Sequence, residues 1–349
     1  MTPTANPADA PALADELARF RVLPPDVLAG LLAGFPGGSA AGLADFLVGR
    51  GALTRFQADR ALAGEAGMLA LGPYRLTGPH HPGTLGPVFR AEKDGAAFVV
   101  RVLPLRSLWQ AKQAKQLART ISALPPNPAV VPLVDADSAN GYHYLVWPLA
   151  EGELLADLVR DAGPMSSTWT AGLLARLACG LAACHARQVV HGLLNPYAVA
   201  VGPDGAPRLL DLGAGMLLTR DLVSRDVLLD TLSAATAAAR VFDFAAPEWV
   251  ADPSTPTPAA DQFSLGALGY FALTGAPPTG EQLLVEANPA VPARLAGAID
   301  RLLRPDPADR FGGMEEVREL FAELAGDAEA DAPAPAPRPV PHQVEVPKP

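Results

Sequence analysis

The sequence is short of lysine, cysteine, aromatic side chains and basic charge, and each shortage argues against something. Of 349 residues only four are lysine: Lys93, Lys112, Lys115 and Lys348. Chemistry that needs a lysine must use one of these or do without. There are two cysteines, Cys179 and Cys184, in an apolar segment. A spacing of five does not put two side chains on one helix face. That argues against a disulfide or thiolate metal site and reads as two small buried apolar residues. Against 37 acidic residues stand only 27 lysines and arginines, a formal net charge of −10. Neither a nucleic-acid binder nor a polybasic membrane anchor fits that balance. The N-terminus lacks the basic start and apolar core of a signal peptide. The longest apolar stretch, residues 170–190, is interrupted by Arg176, His185 and Arg187 and reads as a core helix. The expectation is a cytoplasmic protein with no nucleic-acid and no membrane partner.

What is present is apolar residue in quantity, 49% of the chain, enough for a sizeable core. The length suggests about two domains. Gly (32) and Pro (37) exceed ordinary usage, so many turns and at least one unfolded tail are expected. Residues 1–9 read as a loose start. Over residues 10–70 the pattern is helical: Leu13, Leu17 and Phe20 share a face, Asp26 suits a helix start, and Thr54 is a candidate N-cap. This small helical unit is short for independent stability and is expected to pack on the segment after it. From Tyr74 the period shortens. Strands are expected at residues 88–89, 98–103, 130–134 and 142–147, with a helix over 109–124. After Gly152 the chain is mostly helical, apart from a strand pair near residues 199–201 and 208–210. From Asp327 onward the chain is Ala/Pro-rich and reads as a disordered tail over 327–349, either plainly solvated or an extended docking ligand. The class is α+β: a small β-rich lobe (74–149) followed by a larger α-helical lobe (150–324).

Six landmarks occur in order along this stretch. The first is Gly78-Pro-His-His-Pro-Gly83-Thr-Leu-Gly86-Pro-Val88-Phe; the second is Phe98-Val-Val-Arg101-Val-Leu. The third is His191-Gly-Leu193-Leu-Asn195-Pro196-Tyr-Ala198, followed by Leu210-Asp211-Leu-Gly213. The last two are Ala246-Pro-Glu248 with Asp261-Gln-Phe-Ser-Leu-Gly266, and Arg304-Pro-Asp-Pro-Ala-Asp-Arg310-Phe. In this order they resemble the protein-kinase family, specifically its bacterial Ser/Thr members, over residues 74–324. The helical preface running into Leu71-Gly-Pro-Tyr-Arg-Leu is similar to that of many planctomycete kinases. The resemblance implies a two-lobed kinase fold, with ATP and Mg²⁺ as cofactors if the site works.

The chemistry is where this chain departs from the pattern. The Gly-rich hairpin that covers ATP phosphates in the family corresponds to Gly83, Gly86 and Val88. Pro79, Pro82 and Pro87 each remove an amide donor there, and a plain β-turn reads equally well. The third-strand lysine is replaced by Arg101, a planar and differently hydrated cation. No Asp or Glu occurs between residues 95 and 134, so the usual partner of that cation on the next helix is missing. Trp147 falls at the back of the adenine pocket or simply in the core, and the Ala150 amide faces an adenine edge. In the H-R-D-L-K-P-x-N frame, His191 and Pro196 keep their places. Leu193 replaces the aspartate that orients the acceptor hydroxyl and cannot accept a proton. Asn195 replaces the lysine that steadies the phosphoryl group, Ala198 the metal-binding asparagine, and Gly192 the arginine that reads an activation-segment phosphate. Asp211 of the D-F-G-like turn keeps a metal-binding carboxylate or is an ordinary loop residue. Thr219, Ser224, Thr231, Ser233 and Thr236 are candidate phosphorylation sites, and Val241 replaces a threonine. Glu248, Asp261, Arg310 and Gly213 are architectural positions. His80 and His81 read as surface residues.

Fold-holding positions survive while phosphoryl-transfer positions are stripped. A single electrostatic stabiliser of that kind contributes roughly 3 kcal/mol of barrier lowering. The favoured reading is a pseudokinase that binds protein partners, such as an active kinase or a kinase substrate, as a scaffold or allosteric regulator in bacterial signalling. Two alternatives stay open. One is a slow Ser/Thr kinase that uses Asp211, Arg101 and a displaced carboxylate. The other is a nucleotide sensor without catalysis.

Overall fold

The computed structural model describes residues 7–81, 87–103, 111–219, 242–280 and 282–329. It opens with four helices, α1 (Ala10–Arg19), α2 (Pro25–Leu32), α3 (Ala40–Gly49) and α4 (Arg55–Leu62). They form two helical hairpins in register, each element recurring thirty residues later. Leu13, Leu17, Leu23 and Gly34 recur as Leu43, Leu47, Leu53 and Gly64. The repeated leucines build one shared core. Arg21 and Gly51, at the matching turn, both take a positive φ (55° and 69°). The repeat is legible in the sequence by self-alignment at that offset, whereas hydrophobic periodicity alone does not show it.

The halves diverge where the second meets the sheet. Thr54 and Gln57 close a capping box at the start of α4. Thr54 Oγ1 then donates to the Thr77 carbonyl (2.8 Å) and Gln57 Nε2 to the Leu76 carbonyl (2.7 Å). Phe56 packs on Phe89, with ring centroids 5.6 Å apart. Asn140 donates to the carbonyls of Gly67 and Ala70, tying the linker down from the other side. The helical unit is thus fastened to the following lobe by polar and aromatic contacts. Val27, which matches Gln57 in the first half, is 44% exposed, whereas Gln57 is 1% exposed.

A six-stranded antiparallel sheet comes next, in the order β1-β2-β3-β4-β6-β5. Its strands are β1 (Ala70–Leu71), β2 (Tyr74–His81), β3 (Val88–Lys93), β4 (Ala96–Leu103), β5 (Asp135–Ala139) and β6 (Tyr142–Pro148). Helix α5 (Ala111–Ser122) lies against it and buries Ala114, Ala118 and Ile121. The strand expected at 130–134 is displaced to β5. Val130 makes only an isolated parallel bridge to Leu209. Pro132 lacks the amide a ladder needs, and Val131 and Leu133 are buried as a connector instead. The apolar run marks burial, not pairing.

The helical lobe contains a three-stranded sheet of β7 (Glu153–Leu154), β8 (Val199–Val201) and β9 (Pro207–Leu209). Its helices are α6 (Leu155–Ala162), α7 (Ser167–His185), α8 (Ala214–Thr219), α9 (Pro247–Ala251), α10 (Pro258–Thr274), α11 (Leu284–Ala287), α12 (Ala293–Leu302) and α13 (Met314–Glu329). Two glycines let α10 sit close to its neighbours. A Cβ on Gly266 would lie 2.6 Å from Leu302 Cβ, and one on Gly269 would lie 2.8 Å from Leu174 Cδ1. The α+β architecture with a β-rich lobe before a helical lobe is the one expected. Helix α13 runs through Glu329, past the expected start of the tail, and residues 330–349 lie outside the described residues. Of the two cysteines only Cys184 is buried, and burial pushes its thiol up to about 12; Cys179 is exposed, contrary to expectation. Among the described residues no helix is long and apolar enough to cross a membrane.

Replacing Gln57 with alanine removes the buried bond to Leu76 and half of the capping box. The expected cost is about 1–3 kcal/mol, read as a lower urea midpoint. An unchanged midpoint would show that the helical hairpins and the sheet are not energetically coupled.

Candidate active site

The cleft between the lobes is built from β4, β6 and the turn after β9. Arg101 sits near the end of β4, opposite Val88 of β3 and Leu145 of β6. Its side chain is fully buried, 0% exposed. It reaches across 110 residues of sequence to Asp211, whose side chain is 11% exposed, and Nη2 donates to Oδ2 at 2.5 Å. Asp211 has φ +57°, a region that Asp tolerates better than most residues. The turn is closed by Ala214 N donating to the Asp211 carbonyl at 2.9 Å. Gly213 has φ +88°, and a Cβ there would lie 2.7 Å from Ile121 Cδ1 of α5. So the turn needs glycine both for its backbone and for the approach of α5.

Trp147 of β6 is buried and donates its indole N–H to the Leu212 carbonyl (3.3 Å). The remaining cavity has a volume of about 20 Å³ and is lined by His80, Val99, Trp147, Pro148, Ala150 and Asp211, among others. That is room for about one water, against several hundred Å³ in an ordinary ligand pocket. His80 is not the surface residue expected. It is half-buried in this cleft, where Arg90 Nε donates to its Nδ1 (3.4 Å). Burial, then Arg90, lower its pKa, with Asp211 opposing. Its one signal in the sequence is its place beside the glycine loop.

The loop at residues 191–198 is held from below by Asp261 of α10. The Asp261 carboxylate accepts the amides of His191 (2.8 Å) and Gly192 (2.9 Å) and also contacts His185 Nε2 (2.8 Å). Sequence reasoning missed His185; nothing but its position at the end of α7 marks it. His191 Nε2 lies 2.9 Å from the Leu210 carbonyl and so links this loop to the Asp211 turn. Farther down, Arg310 makes a two-pronged contact with Glu248 (2.6 and 2.8 Å) and donates to three backbone carbonyls.

On this frame sits an apolar centre. Leu193 is 4% exposed and belongs to a cluster with Ala214, Phe242, Ala246 and Trp249. Asn195 is turned inward on its own loop: Nδ2 donates to the Leu193 carbonyl (2.7 Å) and Oδ1 accepts from Tyr197 N (3.0 Å). Pro196 and Ala198 are buried in the short 3₁₀ turn at the end of the loop. Gly192 has φ +77°, and a Cβ there would lie 3.1 Å from Pro256. Gly215 in α8 is a close-approach site that sequence reasoning missed. A Cβ there would collide with the His191 carbonyl oxygen and stand 3.0 Å from Leu193 N. Helix α8 therefore lies directly on the loop.

A protein kinase domain model matches residues 82–321. The chain belongs to the protein kinase family. It is 26% identical over 260 residues to the serine/threonine-protein kinase PknE of Mycobacterium tuberculosis, covering 69% of this chain and 44% of that protein. It is 31% identical over 212 residues to the serine/threonine-protein kinase pkn2 of Myxococcus xanthus, covering 58% and 24%. With the probable serine/threonine-protein kinase PkwA of Thermomonospora curvata it shares 28% identity over 231 residues, covering 65% and 29%. The chain spans less than half the length of each of these relatives.

In this kinase fold the structure brings Arg101, Asp211, Val88 and Ala150 to one cleft, and His191, Leu193, Asn195 and Ala198 to the loop beside it. Gly83 and Gly86 lie outside the described residues, as do Val241 and the candidate phosphorylation sites other than Thr219, whose backbone ends α8. Among the described residues no three His, Cys, Asp or Glu side chains gather as metal ligands.

The contact of α8 with the loop reverses the usual sign of a substitution. Gly to Ala within a helix ordinarily stabilises by about 0.5–1 kcal/mol. Gly215→Ala is expected instead to destabilise by about 1–3 kcal/mol through overpacking against backbone, measured by denaturant unfolding. A stabilised variant would show that α8 does not rest on the loop.

Proposed function

We propose that this kinase-family protein is catalytically impaired and acts by binding protein partners, as a scaffold or allosteric regulator in bacterial signalling. The observation that carries the reading is Leu193. At the position of the family's catalytic aspartate stands a leucine sealed in an apolar cluster under α8, not an exposed polar side chain awaiting substrate. A hydrocarbon can neither take a proton nor orient a hydroxyl. Asn195, at the phosphate-steadying position, spends its amide on its own loop.

Magnesium and ATP, which the family pattern implies, do not fit these residues. The Asp211 carboxylate is engaged by Arg101, the neighbouring metal position is the Ala198 methyl, and the cleft has room for about one water. The retained frame supports a surface role: Asp261, His191, Glu248 and Arg310 keep the helical lobe in shape without contributing to phosphate chemistry.

The rival reading, a slow Ser/Thr kinase, is favoured by the activity for which the relatives are named and by the retention of Asp211. The two separate in a phosphate-transfer assay with labelled ATP, Mg²⁺ and general protein acceptors. Transfer is expected at background for the wild type. Leu193→Asp is expected to stay at background too, because restoring one carboxylate leaves Asp211 engaged. Metal-dependent transfer by the wild type that disappears in Asp211→Ala would sink the proposal.

A further inference from the structure

The ion pair in the cleft joins the two lobes. Arg101 belongs to the sheet and Asp211 to a turn of the helical lobe. A second tie runs parallel to it, from the Trp147 indole on β6 to the carbonyl of Leu212. Both ties converge on the same three-residue turn, whose shape is fixed by Gly213 and by the close approach of Ile121. In the family pattern these positions would face a nucleotide and its metal, so that the cation bridging lobe to lobe would be supplied by ligand.

Here the cation is covalent. A guanidinium is planar, weakly hydrated and always charged, and so suits a dry carboxylate site better than an ammonium does. To bind a metal, Asp211 would have to release Arg101, leaving a wholly buried cation beside Val100 and Leu145 without this carboxylate. Stranding one member of a buried pair is strongly unfavourable. The metal would gain little in exchange, because Ala198 offers it no oxygen from its side chain. We propose that Arg101 is a built-in substitute for the metal–nucleotide complex: it holds the lobes closed without ligand and makes the cleft refuse Mg²⁺–ATP. The inference rests on the non-catalytic reading of this same cleft and adds its regulation. The binding-competent shape is present constitutively and is not gated by nucleotide.

The test uses the full chain in thermal-unfolding titrations with ATP, with and without Mg²⁺, for the wild type, Arg101→Lys and Asp211→Asn. Ligand that binds the native state raises Tm by mass action. The wild type is expected to show no rise at millimolar ATP under either condition. Both variants are expected to melt below the wild type without ligand. Arg101→Lys, whose shorter ammonium releases Asp211, is expected to gain a Mg²⁺-dependent rise that Asp211→Asn lacks. A Mg²⁺-dependent rise in the wild type overturns the proposal. So does a ligand-free Tm unchanged in both variants. If Arg101→Lys fails to fold, the wild-type titration and Asp211→Asn decide the matter. A wild-type rise without phosphate transfer removes only the built-in cation and leaves the non-catalytic reading standing; phosphate transfer removes both.

Discussion

The rest of the cleft depends on a single buried contact, the Arg101–Asp211 ion pair. Taking a guanidinium out of water is costly unless a carboxylate accompanies it and hydrogen bonds complete the site. With Arg101 fully buried on β4, Asp211 must face it. That demand fixes the turn at residues 211–213, including the positive φ of Asp211 and Gly213. The turn in turn places Leu212 under Trp147 and starts α8 at Ala214. Helix α8 then lies on the loop at 191–198, where only glycine fits at position 215. One substitution in a strand thus propagates to the far side of the site, each step forced by sterics or by charge.

The loop beneath is held by constraints that have nothing to do with phosphate. Asp261 satisfies two amides of a tight turn that would otherwise be buried without partners. Arg310 and Glu248 bridge α9 to the segment before α13. Residues of this kind are kept because unpairing them would cost several kcal/mol of stability. Leu193, Asn195 and Ala198 have no such duty and have settled into apolar packing or local hydrogen bonds. That division explains how a fold can persist intact around a centre with no base.

Much of this was legible in the sequence. The motif order placed the lobes, and the absence of acidic residues between 95 and 134 already implied that Arg101 has no carboxylate to meet on α5. The partner Arg101 does take was hidden, because a contact spanning 110 residues leaves no local pattern. The closure of the cleft was likewise hidden, being a matter of how Trp147, His80 and Asp211 fill volume together. The shift from 130–134 to β5 shows another limit: an apolar run reports burial, and Pro132 decided against pairing. The thirty-residue repeat was present in the letters and needed only comparison of the chain with itself. Gly215 and His185 carry no sequence signal beyond position, since their roles arise from tertiary approach.

The most direct test of the central pair is a double-mutant cycle in the absence of any ligand. Equilibrium unfolding would be measured for the wild type, Arg101→Met, Asp211→Asn and the double variant. Each single change should cost about 3–5 kcal/mol, because it strands a buried charge. The double variant strands none and should cost less than the sum of the singles by about 0.5–3 kcal/mol. Strictly additive costs would mean that the two side chains do not depend on each other, and the account of the closed cleft would be wrong.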